Sequence, residues 1–181
     1  MSYKTIRNRT EASFTEKKSE FIGYISPAGT EEEAIGFINE IRAMHRKATH
    51  NCYAYILRNN NTGRHSDDGE PGGTAGMPIY DVLSKNGITD VVCVVTRYFG
   101  GILLGAGGLV HAYSKGASMA LANAEIVNME VADSLKISCD YTMYGIVNSV
   151  LPEFESIIRD KEFTDSICIH YDLKTGLTES L

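Results

Sequence analysis

The chain is organised around two glycine-rich loops that are separated by one predicted helix and one predicted strand. The first loop reads Arg64-His65-Ser66-Asp67-Asp68-Gly69-Glu70-Pro71-Gly72-Gly73-Thr74-Ala75-Gly76. The second reads Arg97-Tyr98-Phe99-Gly100-Gly101-Ile102-Leu103-Leu104-Gly105-Ala106-Gly107-Gly108. Eleven of the 17 glycines lie between Gly63 and Gly108. Because glycine is used where the backbone needs a positive φ or a close approach, both loops are predicted to be shaped for a function.

The segments that flank these loops predict helices layered on a sheet. Strands are predicted at 3–7, 20–26, 50–57 and 90–96, helices at 31–45, 78–85 and 107–124, and a turn at 59–63. The first helix follows a capping box at Thr30–Glu33 and has apolar residues at helical spacing. The nearly continuous valine run at 90–96 predicts a central strand covered on both sides. This order predicts an α+β or α/β arrangement.

The sequence pattern changes near Asn128. Apolar and polar residues alternate at 135–141, which predicts a strand with one solvated face. A helical pattern follows at 143–159, where Pro152 predicts a kink or a late start, and another strand is predicted at 163–171. This βαβ unit is half of a split-βαβ domain. We therefore expect one domain at 1–127 and a second, incomplete domain at 128–181.

Composition indicates a soluble globular protein. A chain of 181 residues with 43% hydrophobic content can bury a sizeable core. The longest apolar run, Val91–Val95, is far shorter than the roughly 20 residues that span a bilayer, and no export signal precedes it. We therefore expect a cytoplasmic protein that does not bind a membrane. The net charge of −6 counts against a whole-surface nucleic-acid binder but permits a local basic patch.

The cysteines do not follow a metal-binding or disulfide pattern. They are spread singly at Cys52, Cys93, Cys139 and Cys168, without a CxxC pair or zinc-finger spacing. Buried free thiols are the interpretation that this spacing favours. We therefore assign no metal ligands and no disulfides from the sequence.

Positive side chains and free backbone N–H groups near the second glycine-rich loop both favour an anion-binding site. The second loop joins a strand ending at Arg97 to a predicted helix start at Gly107 and Gly108, whose N–H groups and dipole favour an anion. His111 and Lys115 lie one and two turns later. The spacing matches neither a Walker loop nor a dinucleotide fingerprint. A specific anion site and a tight strand-to-helix packing turn both stay open.

A second set of cations lies at the C-terminal turn of the first predicted helix. These residues are Arg42, His45, Arg46 and Lys47. They favour the negative end of the helix dipole, and the alternative is a patch that faces phosphate groups.

The first loop contains three carboxylates within four residues. Asp67, Asp68 and Glu70 could bind Mg²⁺ or act as general acid and base. The alternative is that they brace their own loop through hydrogen bonds to the backbone. Strand alternation also places Cys52 on the same face as His50, which permits a nucleophilic pair, but a buried thiol beside a structural histidine is favoured.

Four motifs in order resemble the Impact/YigZ family of conserved cytoplasmic proteins. The resemblance covers residues 15–125 and rests on 48–55 (Ala-Thr-His-Asn-Cys-Tyr-Ala-Tyr), 66–71 with 73–76, 94–101, and 104–110 with Ala112 and Tyr113. It implies an α+β fold: a two-layer Impact domain with a ribosomal-protein-like βαβ sheet and helices on one face, then a ferredoxin-like domain. Both resemble domains of elongation factor G.

The resemblance also implies a function. Eukaryotic members regulate translation in amino-acid starvation by binding the activator of an initiation-factor kinase. For bacterial members, binding to nucleic acid or to the ribosome is inferred from the fold.

Three hypotheses follow. The leading one is a non-enzymatic, translation-linked protein without a cofactor that binds RNA, the ribosome or a translation-associated protein. Its motif face consists of His50, Arg64, Asp67, Asp68, Glu70, Arg97, Gly107, Gly108, His111 and Lys115. The second is a metal-dependent hydrolase of a phosphorylated or nucleotide substrate, in which Asp67, Asp68 and Glu70 hold the metal and Arg97 steadies the phosphate. In the third, the motifs only build the fold, which burial of Arg97 and Asp67 in a mutual ion pair would favour.

Overall fold

A computed structural model describes residues 2–59 and 62–176. It divides into an N-terminal unit of residues 3–128 and a C-terminal unit of residues 129–181 with 1–2. The part of the predicted turn at Asn60 and Asn61 lies outside the described residues.

The described part of the chain forms strands and helices with the following bounds. The strands are β1 Tyr3–Ile6, β2 Thr10–Glu16, β3 Ser19–Pro27, β4 His50–Leu57, β5 Thr62–Ser66, β6 Val91–Tyr98, β7 Ile126–Met129, β8 Ala132–Cys139, β9 Ile157–Phe163 and β10 Ile167–Lys174. The helices are α1 Glu31–Met44, α2 Gly76–Lys85, α3 Gly105–Ala122 and α4 Tyr144–Val150, with a 3₁₀ helix at Leu151–Phe154.

A five-stranded antiparallel sheet forms the centre of the N-terminal unit. Its strand order is β2-β3-β6-β4-β5, and each neighbouring pair is antiparallel. The valine-rich β6 lies in the middle and is buried from Val91 to Arg97, which confirms the predicted central strand. β1 pairs with β7 in a separate two-stranded sheet.

Helices cover both faces of this sheet. On one face, α1 packs Phe37, Ile38 and Ile41 in a cluster with Val92 and Val94 of β6. On the other, α2 and α3 form a cluster with the alternate residues of β6, Val91, Cys93 and Val95. The α+β class is confirmed, but a two-layer arrangement with helices on one face is wrong. Both faces of β6 are apolar, so each must be covered by another layer.

The helix α3 lies directly against β3. A Cβ atom added at Gly23 would lie 2.3 Å from the carbonyl oxygen of Gly116. Only glycine at position 23 permits this close approach of helix and strand.

The C-terminal unit is a three-stranded sheet with order β8-β10-β9 and a small core. Leu151 and the alternate β10 residues Ile167, Ile169, Tyr171 and Leu173 form that core. The predicted helix at 143–159 is wrong in length, because α4 ends at Val150 and the 3₁₀ helix that follows contains Pro152. Proline lacks the N–H that would continue an α-helix.

Other boundaries also differ from the prediction. The strand predicted at 163–171 begins too early, because Phe163 ends β9, the chain turns at Thr164–Ser166, and β10 begins at Ile167. The strands β2 and β5 were not predicted. Both are outer strands of the five-stranded sheet and contain mostly polar residues, so they lack the apolar pattern of a buried strand.

Candidate functional site

Four connections meet at one end of the five-stranded sheet, and we call this the loop end. Glu20 pairs with Tyr98 and His50 pairs with Arg97, so the starts of β3 and β4 lie beside the end of β6. The connections at the loop end are residues 17–18, 45–49, 67–75 and 99–104. Both glycine-rich loops therefore lie at the same end of the sheet.

The Asp67 side chain stabilises the first glycine-rich loop through hydrogen bonds to the backbone of that loop. The Asp67 carboxylate accepts hydrogen bonds from the backbone N–H groups of Gly73 (2.8 Å), Ala75 (3.0 Å) and Gly76 (2.8 Å). Burial raises the pKa of the Asp67 carboxyl, but the three N–H donors outweigh burial and hold the pKa below its ordinary value. Asp67 is therefore a charged brace of the loop.

Asp68 ties the same loop to α1 and β4. One Asp68 oxygen accepts from the Arg42 guanidinium at 2.9 Å, and the other accepts from the backbone N–H of Asn51 at 2.7 Å. The backbone of Asp68 has a φ of +47°, and its carbonyl lies 2.8 Å from Nδ1 of His50. Both the side chain and the backbone of Asp68 therefore anchor the loop.

Glu70 and Arg97 form a buried ion pair. Their side chains are 3% and 6% exposed, and Nη1 of Arg97 lies 2.6 Å from Oε1 of Glu70. The hydroxyl of Tyr113 donates to the same oxygen at 2.7 Å, and Nε2 of His50 lies 3.8 Å from the other oxygen. Within the described part of the chain, Nε of Arg97 is buried without a hydrogen-bond partner.

Two phenylalanines complete the surroundings of Arg97. Its guanidinium carbon lies 5.5 Å from the ring centroid of Phe21 and 5.3 Å from that of Phe99. These two cation–π contacts stabilise the buried guanidinium of Arg97. The expected pair of Arg97 with Asp67 is wrong, because Asp67 binds backbone N–H groups and Arg97 pairs with Glu70. The burial of Arg97 in an ion pair still supports the hypothesis that this part of the motif builds the fold.

The structure gives no support to the hydrolase hypothesis. That hypothesis needs Asp67, Asp68 and Glu70 to face one metal ion, whereas they bind three different sets of partners. Each carboxylate is therefore already used inside the protein.

The Cys52 thiol is also used internally. It donates to the carbonyl oxygen of Asp67 at 2.9 Å. Burial, and then the nearby carboxylates of Glu70, Asp68 and Asp67, raise the pKa of the Cys52 thiol, although a hydrogen bond with Tyr113 opposes them. A neutral buried thiol is a poor nucleophile, which agrees with the favoured structural interpretation of Cys52 and His50.

The second glycine-rich loop presents apolar side chains to solvent. Phe99, Ile102 and Leu103 are 45%, 41% and 82% exposed. The loop is attached at its start, where the N–H of Phe99 donates to the Thr49 hydroxyl at 3.0 Å and that of Gly100 donates to the Ser19 hydroxyl at 3.2 Å. Sequence reasoning did not assign these apolar residues to the site. The signal was their position in a glycine-rich loop, where apolar residues have no strand or helix face to bury them.

The helix α3 begins at Gly105, two residues earlier than predicted. No side chain caps it, and an α-helix leaves its first N–H groups, here those of Leu104 to Gly107, without intrahelical partners. His111 is exposed. Lys115 instead lies over Phe14, 4.3 Å from the ring centroid. Because Arg97 is bound to Glu70, the structure does not assemble the predicted set of anion-binding side chains at this helix start.

Exposed cations surround the loop end. Lys17 and Lys18 lie in the β2–β3 turn, and Arg46 and Lys47 lie between α1 and β4. Thr49 and Ser19, which bind the second loop, are two residues or fewer from Lys47 and Lys18. Arg64 is exposed on β5, where it pairs with Tyr55 of β4.

Comparison with known proteins identifies the family. The model of the Impact N-terminal domain matches residues 17–121. The IMPACT family member YvyE of Bacillus subtilis is 40% identical over 167 residues, which are 92% of this chain and 77% of that relative. The chain belongs to the Impact family.

Other relatives agree with this assignment. The IMPACT family member YigZ of Escherichia coli is 34% identical over 150 residues, 81% of this chain and 74% of that relative. A crystal structure of a hypothetical protein covers 99% of this chain and 88% of its own, with a TM-score of 0.71 and 29% identity. The matched Impact domain contains both glycine-rich loops and thus the whole loop end.

The described helices are too short or too polar to cross a membrane.

Proposed function

We propose that this Impact family member is a translation-linked protein that binds the ribosome through its loop end and catalyses no reaction. The observation that carries the proposal is the exposed apolar group of Phe99, Ile102 and Leu103. Several large apolar side chains exposed within one anchored loop are typical of a contact with another macromolecule.

The first glycine-rich loop supports the loop end. Its carboxylates are bound by backbone N–H groups and by Arg42 and Arg97, so the loop end needs no ligand to order it. A preorganised surface loses little conformational entropy when it binds. The charged residues of the motif therefore serve binding indirectly, by holding the surface in shape.

The cations at the loop end favour RNA as a second contact on the same ribosome. Lys17, Lys18, Arg46 and Lys47 are exposed around the apolar group. Positive side chains near a surface aromatic such as Phe99 are suited to phosphate and base contacts. The translation link itself is supported by family membership, because the family resemblance implies translational regulation in eukaryotic members and domains like those of elongation factor G.

Co-sedimentation of the full chain with purified ribosomes tests the proposal. We expect the wild type to sediment with ribosomes at low salt, and Ile102→Ser with Leu103→Ser to weaken this binding. The matched control is Ile35→Ser, because Ile35 is an exposed apolar residue of α1 at the opposite end of that helix from the loop end. Ile35→Ser should bind as the wild type does.

The dependence of ribosome binding on salt concentration distinguishes a contact with RNA from a contact with a ribosomal protein. Binding through RNA falls steeply as salt rises, and exchange of Lys17 and Lys18 for glutamine should then reduce both the affinity and the salt dependence. Binding through a ribosomal protein should depend on Leu103 and respond weakly to salt. The proposal fails if the wild type does not sediment with ribosomes at low salt, or if neither set of substitutions changes the binding.

A further inference from the structure

The C-terminal sheet has one face that α4 does not cover. Alternation along β10 places Ile167, Ile169 and Tyr171 in the core and turns Cys168 and His170 to the opposite face. Glu162 of β9 is the direct cross-strand partner of Cys168. A thiol, an imidazole and a carboxylate therefore converge on one face of the β9–β10 hairpin.

The distances between these groups are those of metal ligands. Sγ of Cys168 lies 3.6 Å from Nε2 of His170, and Nε2 of His170 lies 3.5 Å from Oε1 of Glu162. All three ligand atoms lie within 4.8 Å of one another. Zinc with Zn–S of about 2.3 Å and Zn–N or Zn–O of about 2.1 Å holds tetrahedral S and N ligands about 3.6 Å apart and N and O ligands about 3.4 Å apart.

The donor set also favours zinc among the common metals. A thiolate and an imidazole are ligands that Zn²⁺ prefers, whereas Mg²⁺ and Ca²⁺ prefer sites made of oxygen alone. A thiolate and a carboxylate together balance the charge of one divalent ion. Among the described residues, the Glu162, Cys168 and His170 cluster is the group of three or more such side chains close enough to hold a metal.

Solvent can reach the cluster from one side. Cys168 is buried, His170 is half-buried and Glu162 is exposed. His170 also lines a surface groove with Ser134, Arg159 and Asp172, which provides a route for an ion. Lys136, the neighbour of His170 on β8, is exposed and lines the same groove.

The geometry points to a zinc site formed by Glu162, Cys168 and His170, with the fourth coordination position open to water. On binding, the Cys168 thiol releases its proton to solvent and its sulfur bonds to the metal. Because the ligands come from two adjacent strands, the ion joins β9 to β10 and stabilises the small C-terminal unit, whose core contains few residues.

Titration of the reduced, metal-free full chain with Co²⁺ tests this site. Cobalt bound to a thiolate gives a sulfur-to-metal charge-transfer band in the near ultraviolet, and tetrahedral cobalt absorbs visible light strongly. We expect one equivalent of Co²⁺ to produce both signals and Zn²⁺ to displace it. Zinc should also raise the melting temperature of the wild type, because it binds the folded state.

Substitutions identify the ligands. Cys168→Ser should abolish the charge-transfer band, and His170→Gln should weaken the affinity by at least about tenfold, since even outer-shell changes cost 10–100-fold. The matched control is Cys139→Ser, because Cys139 is the other thiol of this sheet and packs on the core face. Cys139→Ser should retain the band.

Two results would overturn the inference. One is a wild type without a thiolate band at excess Co²⁺. The other is a band that persists in Cys168→Ser, which would place the metal on another thiol. Circular dichroism of each variant without metal checks folding, and His170→Gln keeps the test decisive if Cys168→Ser does not fold.

Discussion

The two glycine-rich loops meet at the same end of the sheet but use their side chains in opposite ways. The first loop contains the three carboxylates of the motif, and Asp67 and Glu70 both turn inward to partners in the protein. The second loop contains Ile102 and Leu103, which face solvent. The first loop therefore stabilises the loop end, and the second loop provides its exposed apolar surface.

This difference teaches that residue type does not by itself identify a binding residue. A buried ion pair is held by its partners, since the loss of either partner leaves an unpaired charge in a medium of low polarity. An exposed leucine stays in water at a cost in free energy, which a binding partner can offset. The following predictions test this division between brace and surface.

The largest effect is expected from Arg97→Met. It leaves the Glu70 carboxylate buried without its cation, and we expect a loss of about 3–5 kcal/mol in the free energy of unfolding. Urea denaturation measures this loss. The double variant with Arg97→Met and Glu70→Leu should be more stable than Arg97→Met alone, because it removes both charges. A single variant as stable as the wild type would contradict the role of the ion pair as a brace.

Asp67→Ala should have the next largest effect, about 2–3 kcal/mol. It removes the acceptor of three backbone N–H groups, and hydrogen bonds to a charged group are worth more than neutral ones. The measurement is again urea denaturation, near neutral pH. Equal stabilities of variant and wild type would show that the loop does not need this carboxylate.

The pH dependence of this difference has a defined sign. The pKa of Asp67 is lowered by folding from its ordinary value of 3.8, so its contribution is fully present above 3.8 and is lost as pH falls through the lowered pKa. The gap in stability between wild type and Asp67→Ala should therefore narrow on acidification below pH 3.8. A gap that widens there would contradict the assignment.

Gly100→Ala should destabilise the protein by about 1–3 kcal/mol, the range for an overpacked site. A Cβ atom at position 100 would lie 1.9 Å from the carbonyl oxygen of Lys18, so the second loop must move. The matched control is Gly107→Ala, where nothing lies within 4 Å of the new atom, and alanine favours the helix by up to about 1 kcal/mol. Thermal unfolding of both variants checks the contrast, and equal melting temperatures would refute it.

The smallest effect on stability is expected from Leu103→Ser, within about 0.5 kcal/mol, as for other surface changes. Its neighbour offers a strict comparison, since Leu104 belongs to the core and Leu104→Ser should cost about 2–5 kcal/mol. Thermal or urea unfolding distinguishes the two. If Leu103→Ser unfolds as readily as Leu104→Ser, then Leu103 is a packing residue and the division between the loops is wrong.

Much of the fold could be predicted from local patterns. The capping box at Thr30 and the helical spacing after it predicted α1, and the valine run predicted β6 as a central strand. Outer strands were harder to predict. The strands β2 and β5 lack an apolar pattern of their own, and they are defined by the pairing of β2 with β3 and of β5 with β4. The start of the strand predicted at 163–171 was wrong for a similar reason: β9 and the polar turn at Thr164–Ser166 are recognised only through the pairing of β9 with β10.

The residues of the candidate sites were also visible in the sequence, but their pairing was not. The motif at 64–108 was evident in the sequence, but the partner of Arg97 was not, because Glu70 lies 27 positions away and the pairing depends on how the loop folds. The cysteine spacing predicted no metal site. Glu162 joins Cys168 and His170 through strand register, which spacing along the chain does not encode.

By itself, the sequence determined the strongly periodic elements, the two glycine-rich loops and the family resemblance, because these depend on neighbouring residues and on backbone preferences. Only the tertiary structure decided which side chains are buried and which are exposed. Asp68 pairs with Arg42 and Glu70 with Arg97 across 26 and 27 positions of the chain, and the cluster at Cys168 depends on the pairing register of β9 with β10. Burial and pairing are properties of those contacts, so the roles of these residues became evident only when the segments were brought together.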